Sequence, residues 1–182
     1  MSAAAELAEL LRARDPIAAA RAAGVTGDEP VTVERGDPPA GWLVDGDVER
    51  PVDEHRAAHL AGTPSEAALA YGAGHPAEDI ARRLAELAEL ARETGLLRAV
   101  CPVPADGTAD RPGSWGVEDL TVVAVCRLAL PAGVAVRPHW RRLGPGASQI
   151  AAAFGATAWR VPHDDGADTE RLVAALGRGG AA

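Results

Sequence analysis

Lysine and asparagine are absent from this chain of 182 residues, so all 18 of its basic side chains are arginine. Against 26 acids they leave a formal charge of 18 − 26 = −8. That balance argues against a nucleic-acid or anionic-membrane partner, because neutralising phosphates needs clustered positive charge. Aromatic residues are confined to six positions, Trp42, Tyr71, Trp115, Trp140, Phe154 and Trp159. Any core is therefore built from alanine, leucine and valine, and 41 residues are alanine. The two cysteines, Cys101 and Cys126, form no CxxC pair, which leaves no basis for a disulfide framework, a zinc knuckle or a cysteine-held iron–sulfur cluster. No run of 18 apolar residues occurs, and the N-terminus opens with Glu6 and Glu9 rather than a basic segment followed by an apolar one. Neither a membrane span nor a secretion signal is expected, and the expected location is a reducing cytoplasm. The absence of Lys and Asn beside abundant Ala, Gly, Pro and Arg matches the codon bias of a GC-rich genome, so composition carries little functional weight.

What is present is regular punctuation. Residues 3 to 23 carry Leu7, Leu10, Leu11, Ile17 and Ala18 at helical spacing, with Asp15-Pro16 dividing the stretch and Gly24 ending it. Two short strand-like segments, 31 to 35 and 41 to 45, flank Gly36-Asp37-Pro38-Pro39 and fit either a hairpin or two separate strands. From Pro51 onward helix-like stretches at 51–61, 77–94, 117–130, 144–154 and 168–176 alternate with strand-like pieces at 67–71, 96–103, 134–137 and 157–161. That is the β/α alternation of an α/β fold. The 77–94 helix is the clearest element: Ile80, Leu84, Leu87, Ala88 and Ala91 form one stripe, between Pro76 and Gly95. The run 120–130 reads as a buried strand by its β-branched residues and as a buried helix by its length.

Motifs that carry chemistry are sparse. His55 and His59 share one face of a predicted helix, but Arg56 stands where a zincin needs glutamate, so they read as surface or capping histidines. His163-Asp164-Asp165 reads as a polar turn. There is no GxSxG, no Walker loop and no complete GxGxxG; Gly72-Ala73-Gly74 follows a strand without the third glycine. Cys101 sits at a predicted strand end, where packing is the favoured role over that of a nucleophile. Arg127, inside an apolar helix, needs a carbonyl or anionic partner; an ion pair with Glu118 or Asp119 is favoured over a ligand contact.

The order of residues resembles a known family. His55-Arg56-Ala57-Ala58-His59-Leu60, then Tyr71-Gly72, then the run from Arg83 to Gly95, look like the second half of the radical SAM enzymes of futalosine-type menaquinone biosynthesis, aminofutalosine synthase and dehypoxanthine futalosine cyclase. The resemblance continues through Val117-Glu118-Asp119-Leu120, the run from Ala124 to Leu130, Trp140-Arg141-Arg142-Leu143-Gly144, Gln149 and Phe154-Gly155-Ala156, and covers about 51 to 162. It implies a partial (β/α) barrel like the C-terminal half of a radical SAM TIM-type barrel, with 117–130 a helix and 134–137 the following strand. The family's CxxxCxxC cluster loop has no counterpart here, and without three thiolates no cluster reduces SAM. After Tyr71-Gly72 the family's His and Glu near the SAM site are replaced by Ala73, Gly74, His75 and Pro76, and its His on the next-to-last strand has no counterpart in Val134-Ala135-Val136-Arg137.

The resemblance implies two regions: 1–50, a helix and short strands that complete the sheet, and 51–178, the half-barrel. It implies a non-catalytic, truncated radical-SAM-like protein of the futalosine pathway with no cofactor and no metal, acting as a binding or partner protein. Its partners would be a second copy or a radical SAM paralogue, since a half-barrel exposes strand edges that must be covered. The alternative is a SAM-independent enzyme acting on a nucleoside-like or chorismate-derived small molecule. Tyr71, Gly72, Cys101, Arg127 and His139 are the candidate ligand-binding residues; the convergence of Tyr71, Cys101, Arg127 and His139 in one pocket would favour the enzyme, their scatter the non-catalytic protein.

Overall fold

The computed structural model describes residues 2–27, 31–106, 116–161, 170–171 and 173–174. The turn expected at His163-Asp164-Asp165 lies outside them, as does most of the helix expected over 168–176.

The N-terminal helical stretch divides at Asp15-Pro16. Helix α1 (Ala3–Ala13) is capped by the Ser2 hydroxyl, which accepts from the Ala5 amide at 3.3 Å, and ends on Arg14 at φ 49°. Helix α2 (Pro16–Ala22) restarts at once: the Asp15 carboxylate accepts from the Ala18 amide at 2.9 Å, and Pro16 occupies the first turn, where its missing N–H has no helical partner to lose.

The two segments around Gly36-Asp37-Pro38-Pro39 are separate strands rather than a hairpin, β1 (Thr32–Arg35) and β2 (Leu43–Val44). The alternation expected from Pro51 onward follows as α3 (Val52–Leu60), β3 (Ser65–Tyr71), α4 (Ala77–Thr94), β4 (Leu97–Pro104), α5 (Val117–Ala129), β5 (Ala135–Val136), α6 (Trp140–Ala152) and β6 (Ala158–Val161). Helix α6 begins four residues before the expected 144, and Gly144 kinks it at φ 78°.

Among the described residues every strand pair is parallel, so the fold is α/β. One sheet has the order β2-β3-β4-β5 and the other pairs β1 with β6. Thr157 joins the two. Its amide donates to the Val136 carbonyl at 2.9 Å, its hydroxyl accepts from the Val136 amide at 3.0 Å, and its carbonyl accepts from the Thr32 amide at 3.0 Å. Strand β3 is buried along nearly its whole length, as expected of a parallel strand covered on both faces.

Helix α5 settles the ambiguity of the 120–130 run. Val122, Val123, Ala124, Val125 and Cys126 are consecutive and all buried, because α1, α2 and α4 pack on this helix as well as β4 and β5. A helix enclosed on most sides is apolar all round, which erases the periodicity that would mark it in sequence. The α4 stripe is buried as its spacing predicts, and Gly95 closes that helix at φ 64°.

Strand β2 pairs only with Ser65 and Glu66 of β3, and side chains close the rest of that edge. The Asp45 carboxylate accepts from the Ala68 amide at 2.9 Å, the Glu49 carboxylate accepts from the Ala70 amide at 2.7 Å, and the Arg83 guanidinium donates to the Ala68 carbonyl at 3.1 Å. These are backbone groups that a further parallel strand would use.

Candidate functional site

Strand alternation brings four charges to one face. Glu34 and Arg160 are direct partners across β1 and β6, Glu66 is the second residue of β3, and Arg137 follows β5. Arg137 Nη1 donates to Glu66 Oε1 at 2.6 Å, and its Nη2 donates to Glu34 Oε1 and Oε2 at 2.9 and 3.0 Å. Arg160 grips Glu66 with both terminal nitrogens, at 2.5 and 2.9 Å, and reaches Glu34 Oε2 at 2.7 Å. The result is a closed ring of alternating charge. Glu66 is only 2% exposed and Arg137 7%, and charges taken this far from water need such pairing. Burial raises the Glu66 pKa, but hydrogen bonds from Arg160 and Arg137 outweigh it and hold the carboxyl below its ordinary value. Burial likewise works to lower the Arg160 pKa, and the bonds to Glu66 and Glu34 reverse it.

Glu66, Arg137 and Arg160 form part of the wall of a cavity of about 270 Å³. Val44, Ala68, Cys101, Pro138 and Trp140 supply apolar surface there, and Asp45, Asp47, His139 and Arg141 the remaining polar groups. Its size is just below the usual range for small-molecule sites. Asp47 reaches from the loop after β2 to the start of α6, with Oδ1 3.3 Å from His139 Nε2 and Oδ2 3.3 Å from Arg142 Nη2. Arg141 lies 5.6 Å above the Trp140 ring, a cation–π distance. The Cys101 thiol is pushed up to about 12, chiefly by burial, so it is protonated at neutral pH and a weak nucleophile.

Of the residues singled out in the sequence, Cys101 and His139 line this cavity, whereas Tyr71, Gly72 and Arg127 are not part of its wall among the described residues. Tyr71 is fully buried and donates its hydroxyl hydrogen to Asp119 Oδ1 at 2.8 Å, which ties β3 to α5. Gly72 follows at φ 94°, a left-handed turn position that favours glycine. Arg127 packs against Gly155, where an added Cβ would sit 2.8 Å from the Arg127 Cβ. Of Glu118 and Asp119, the acids expected as its ion-pair partner, Glu118 pairs with Arg14 at 3.7 Å and Asp119 accepts from Tyr71.

His55 and His59 are corrected from surface to interior. His55 is fully buried with Nε2 3.1 Å from Asp45 Oδ1, and His59 bridges Thr94 Oγ1 at 2.7 Å and Ser65 Oγ at 2.8 Å. Their shared face is the one α3 turns towards β3 and α4. Burial lowers the pKa of His59, and the charges of His55, Arg56 and Arg98 add to the effect. Among the described residues no group of three or more His, Cys, Asp or Glu side chains is arranged to hold a metal ion.

Asp45, Asp47, Glu66, Arg137 and Arg160 were not singled out from the sequence. A signal existed in Glu66, a lone acid at the head of an apolar strand, but the expected strand began one residue later, at Ala67. No protein-family model matches the chain, and no curated protein matches it.

Proposed function

We propose that the chain is a non-catalytic binding protein built on the scaffold of the futalosine-pathway radical SAM enzymes, taking a small ligand in the cavity beside Cys101 and His139. The observation that carries this is the state of the cavity's reactive groups. Glu66 is committed to two arginines, Asp45 to His55 and the Ala68 amide, Asp47 to His139 and Arg142, and Cys101 is a neutral thiol. General acid–base or nucleophilic work needs a group poised to exchange a proton or attack. Two cysteines also fall short of the three thiolates a radical SAM cluster requires.

A partial barrel is the architecture that goes with this reading. Neighbouring strands lie about 4.8 Å apart, so strands three positions apart in a flat sheet would be separated by roughly 14 Å. The order β2-β3-β4-β5, continued through Thr157 to β6 and β1, sets β3 and β6 at that spacing. Their side chains meet at 2.5 Å through Glu66 and Arg160, a span that a long Arg and a Glu reach most readily when the sheet curves towards that face. The closed edge of β3 disfavours strand addition there by a second copy and by a radical SAM paralogue alike, so a protein partner of either kind would dock elsewhere.

Native mass spectrometry of the full chain, purified anaerobically, tests the proposal. The expected result is one small-molecule adduct per chain, lost in the cavity-filling variant Ala68→Phe and released chemically unaltered. A chain that retains nothing under these conditions, or an adduct that survives Ala68→Phe, overturns it.

The meeting of Cys101 and His139 at one cavity favours a second reading, a SAM-independent enzyme acting on a nucleoside-like or chorismate-derived compound. That reading requires turnover of such a compound, and requires Cys101→Ala and His139→Gln each to abolish it.

A further inference from the structure

We infer that the ligand this cavity takes is an uncharged, largely apolar ring compound rather than an anion or a cation. The inference rests on the cavity being a ligand site and goes on to define what it selects. Three acids and three arginines line it, Asp45, Asp47 and Glu66 against Arg137, Arg141 and Arg160, so their charges sum to −3 + 3 = 0. Pairing is local as well as global. Each of those acids has an arginine within 3.7 Å: Asp45 has Arg83 at 3.6 Å and Arg50 at 3.7 Å, Asp47 has Arg142 at 3.3 Å, and Glu66 has Arg137 and Arg160.

A charged ligand entering such a site gives up its hydration and meets dipoles instead of a counter-charge. To recruit Arg137 or Arg160, an anion would have to break bonds to Glu66 and Glu34 that are 2.5 to 3.0 Å long. The remaining wall offers Val44, Ala68, Cys101, Pro138 and Trp140, which reward an apolar body. A volume of about 270 Å³ equals roughly nine liquid waters, enough for one or two rings with small substituents.

Three probes of nearly one shape separate the charge states: benzamide, benzoate and benzamidinium. Each is titrated against the full ¹⁵N-labelled chain, following the Trp140 indole N–H signal, assigned with Trp140→Phe. Benzamide is expected to shift that signal saturably, with both ions at least ~10-fold weaker, a difference of about 1.4 kcal/mol. Benzoate or benzamidinium binding as tightly as benzamide overturns the neutral-ligand inference and leaves the ligand site standing. If none of the three moves the signal, the cavity is not such a site and both proposals fall. Asp47→Asn gives a second reading at the half-exposed rim. Removing one negative charge there is expected to raise benzoate binding relative to benzamide about 3-fold or more, and an unchanged ratio counts against charge balance as the selecting feature.

Discussion

Glu66 at the head of β3 and Arg160 in β6 belong to different sheets and 94 positions separate them in sequence, yet two hydrogen bonds of 2.5 and 2.9 Å join their side chains. Together with Arg137 and Glu34 this pair forms a closed ring of charge, of which Glu66, Arg137 and Arg160 line the cavity. Because the ring links both sheets, it governs how strongly they hold together as well as what the cavity offers a ligand.

Glu66→Ala strands Arg137 without its most deeply buried partner. Losing one member of a buried ion pair costs about 3–5 kcal/mol, and the half-exposed Glu34 places this case near the lower figure. Urea denaturation should show a drop of about 3 kcal/mol. A loss under 1 kcal/mol would mean the ring contributes little.

Stability should fall in two steps on acidification. His59 is held below its ordinary 6.5, so as pH drops through that value the unfolded chain binds a proton that the folded chain does not, and stability declines with pH. Glu66 is held below its ordinary 4.5, so a further decline begins there as the unfolded carboxyl protonates first. Thermal melting points collected between pH 7 and pH 3 should show both declines, with His59→Gln removing the upper one. A melting point that rises as pH falls from 7 to 5 contradicts the His59 assignment.

Gly155→Ala should be among the most damaging single-methyl additions to the chain. The new Cβ would lie 2.8 Å from Arg127 Cβ, 2.9 Å from Arg127 Cγ and 3.1 Å from Val25 Cγ2, on a residue at φ 104°. Overpacking and left-handed strain together cost about 2–4 kcal/mol, which calorimetry reads as a melting-point drop of roughly 5–10 °C. Gly62→Ala is the control. It carries a similar positive φ of 78° but meets nothing within 4 Å, so its penalty should be limited to backbone strain, about 1 kcal/mol.

Removing the carboxylates that close the β3 edge should make the chain self-associate. Asp45→Ala with Glu49→Ala frees the Ala68 and Ala70 amides, and free strand amides recruit another strand. Light scattering should report concentration-dependent dimers or larger species in the double variant only. A double variant that scatters like the parent at every concentration would show that the edge is closed by something other than these side chains.

Much of the fold is legible in the sequence. Local chemistry marks some helix boundaries: Asp15-Pro16 divides α1 from α2, and Gly95 ends α4, whereas the start of α6 at Trp140 carries no such mark. The parallel strands announce themselves as short apolar pieces between helical ones. The candidate site was half legible. Cys101 and His139 both line the cavity, although Cys101 lies in the middle of β4 rather than at a strand end, because His139 follows β5, the strand paired with β4. Tyr71, Gly72 and Arg127 do not join them, since strand alternation turns Tyr71 towards α5, and packing against Gly155 engages Arg127.

The linear chain carries in short windows everything that depends on neighbours within a few residues: caps, breakers, the amphipathic α4 stripe and the β/α alternation. It does not carry which distant charges neutralise one another. His55 and His59 became interior groups because α3 lies on β3 and α4, and Glu34, Glu66, Arg137 and Arg160 became one ring because two sheets meet at Thr157. Burial and pairing of charge depend on contacts between residues 10 to 126 positions apart, which only the packed chain creates.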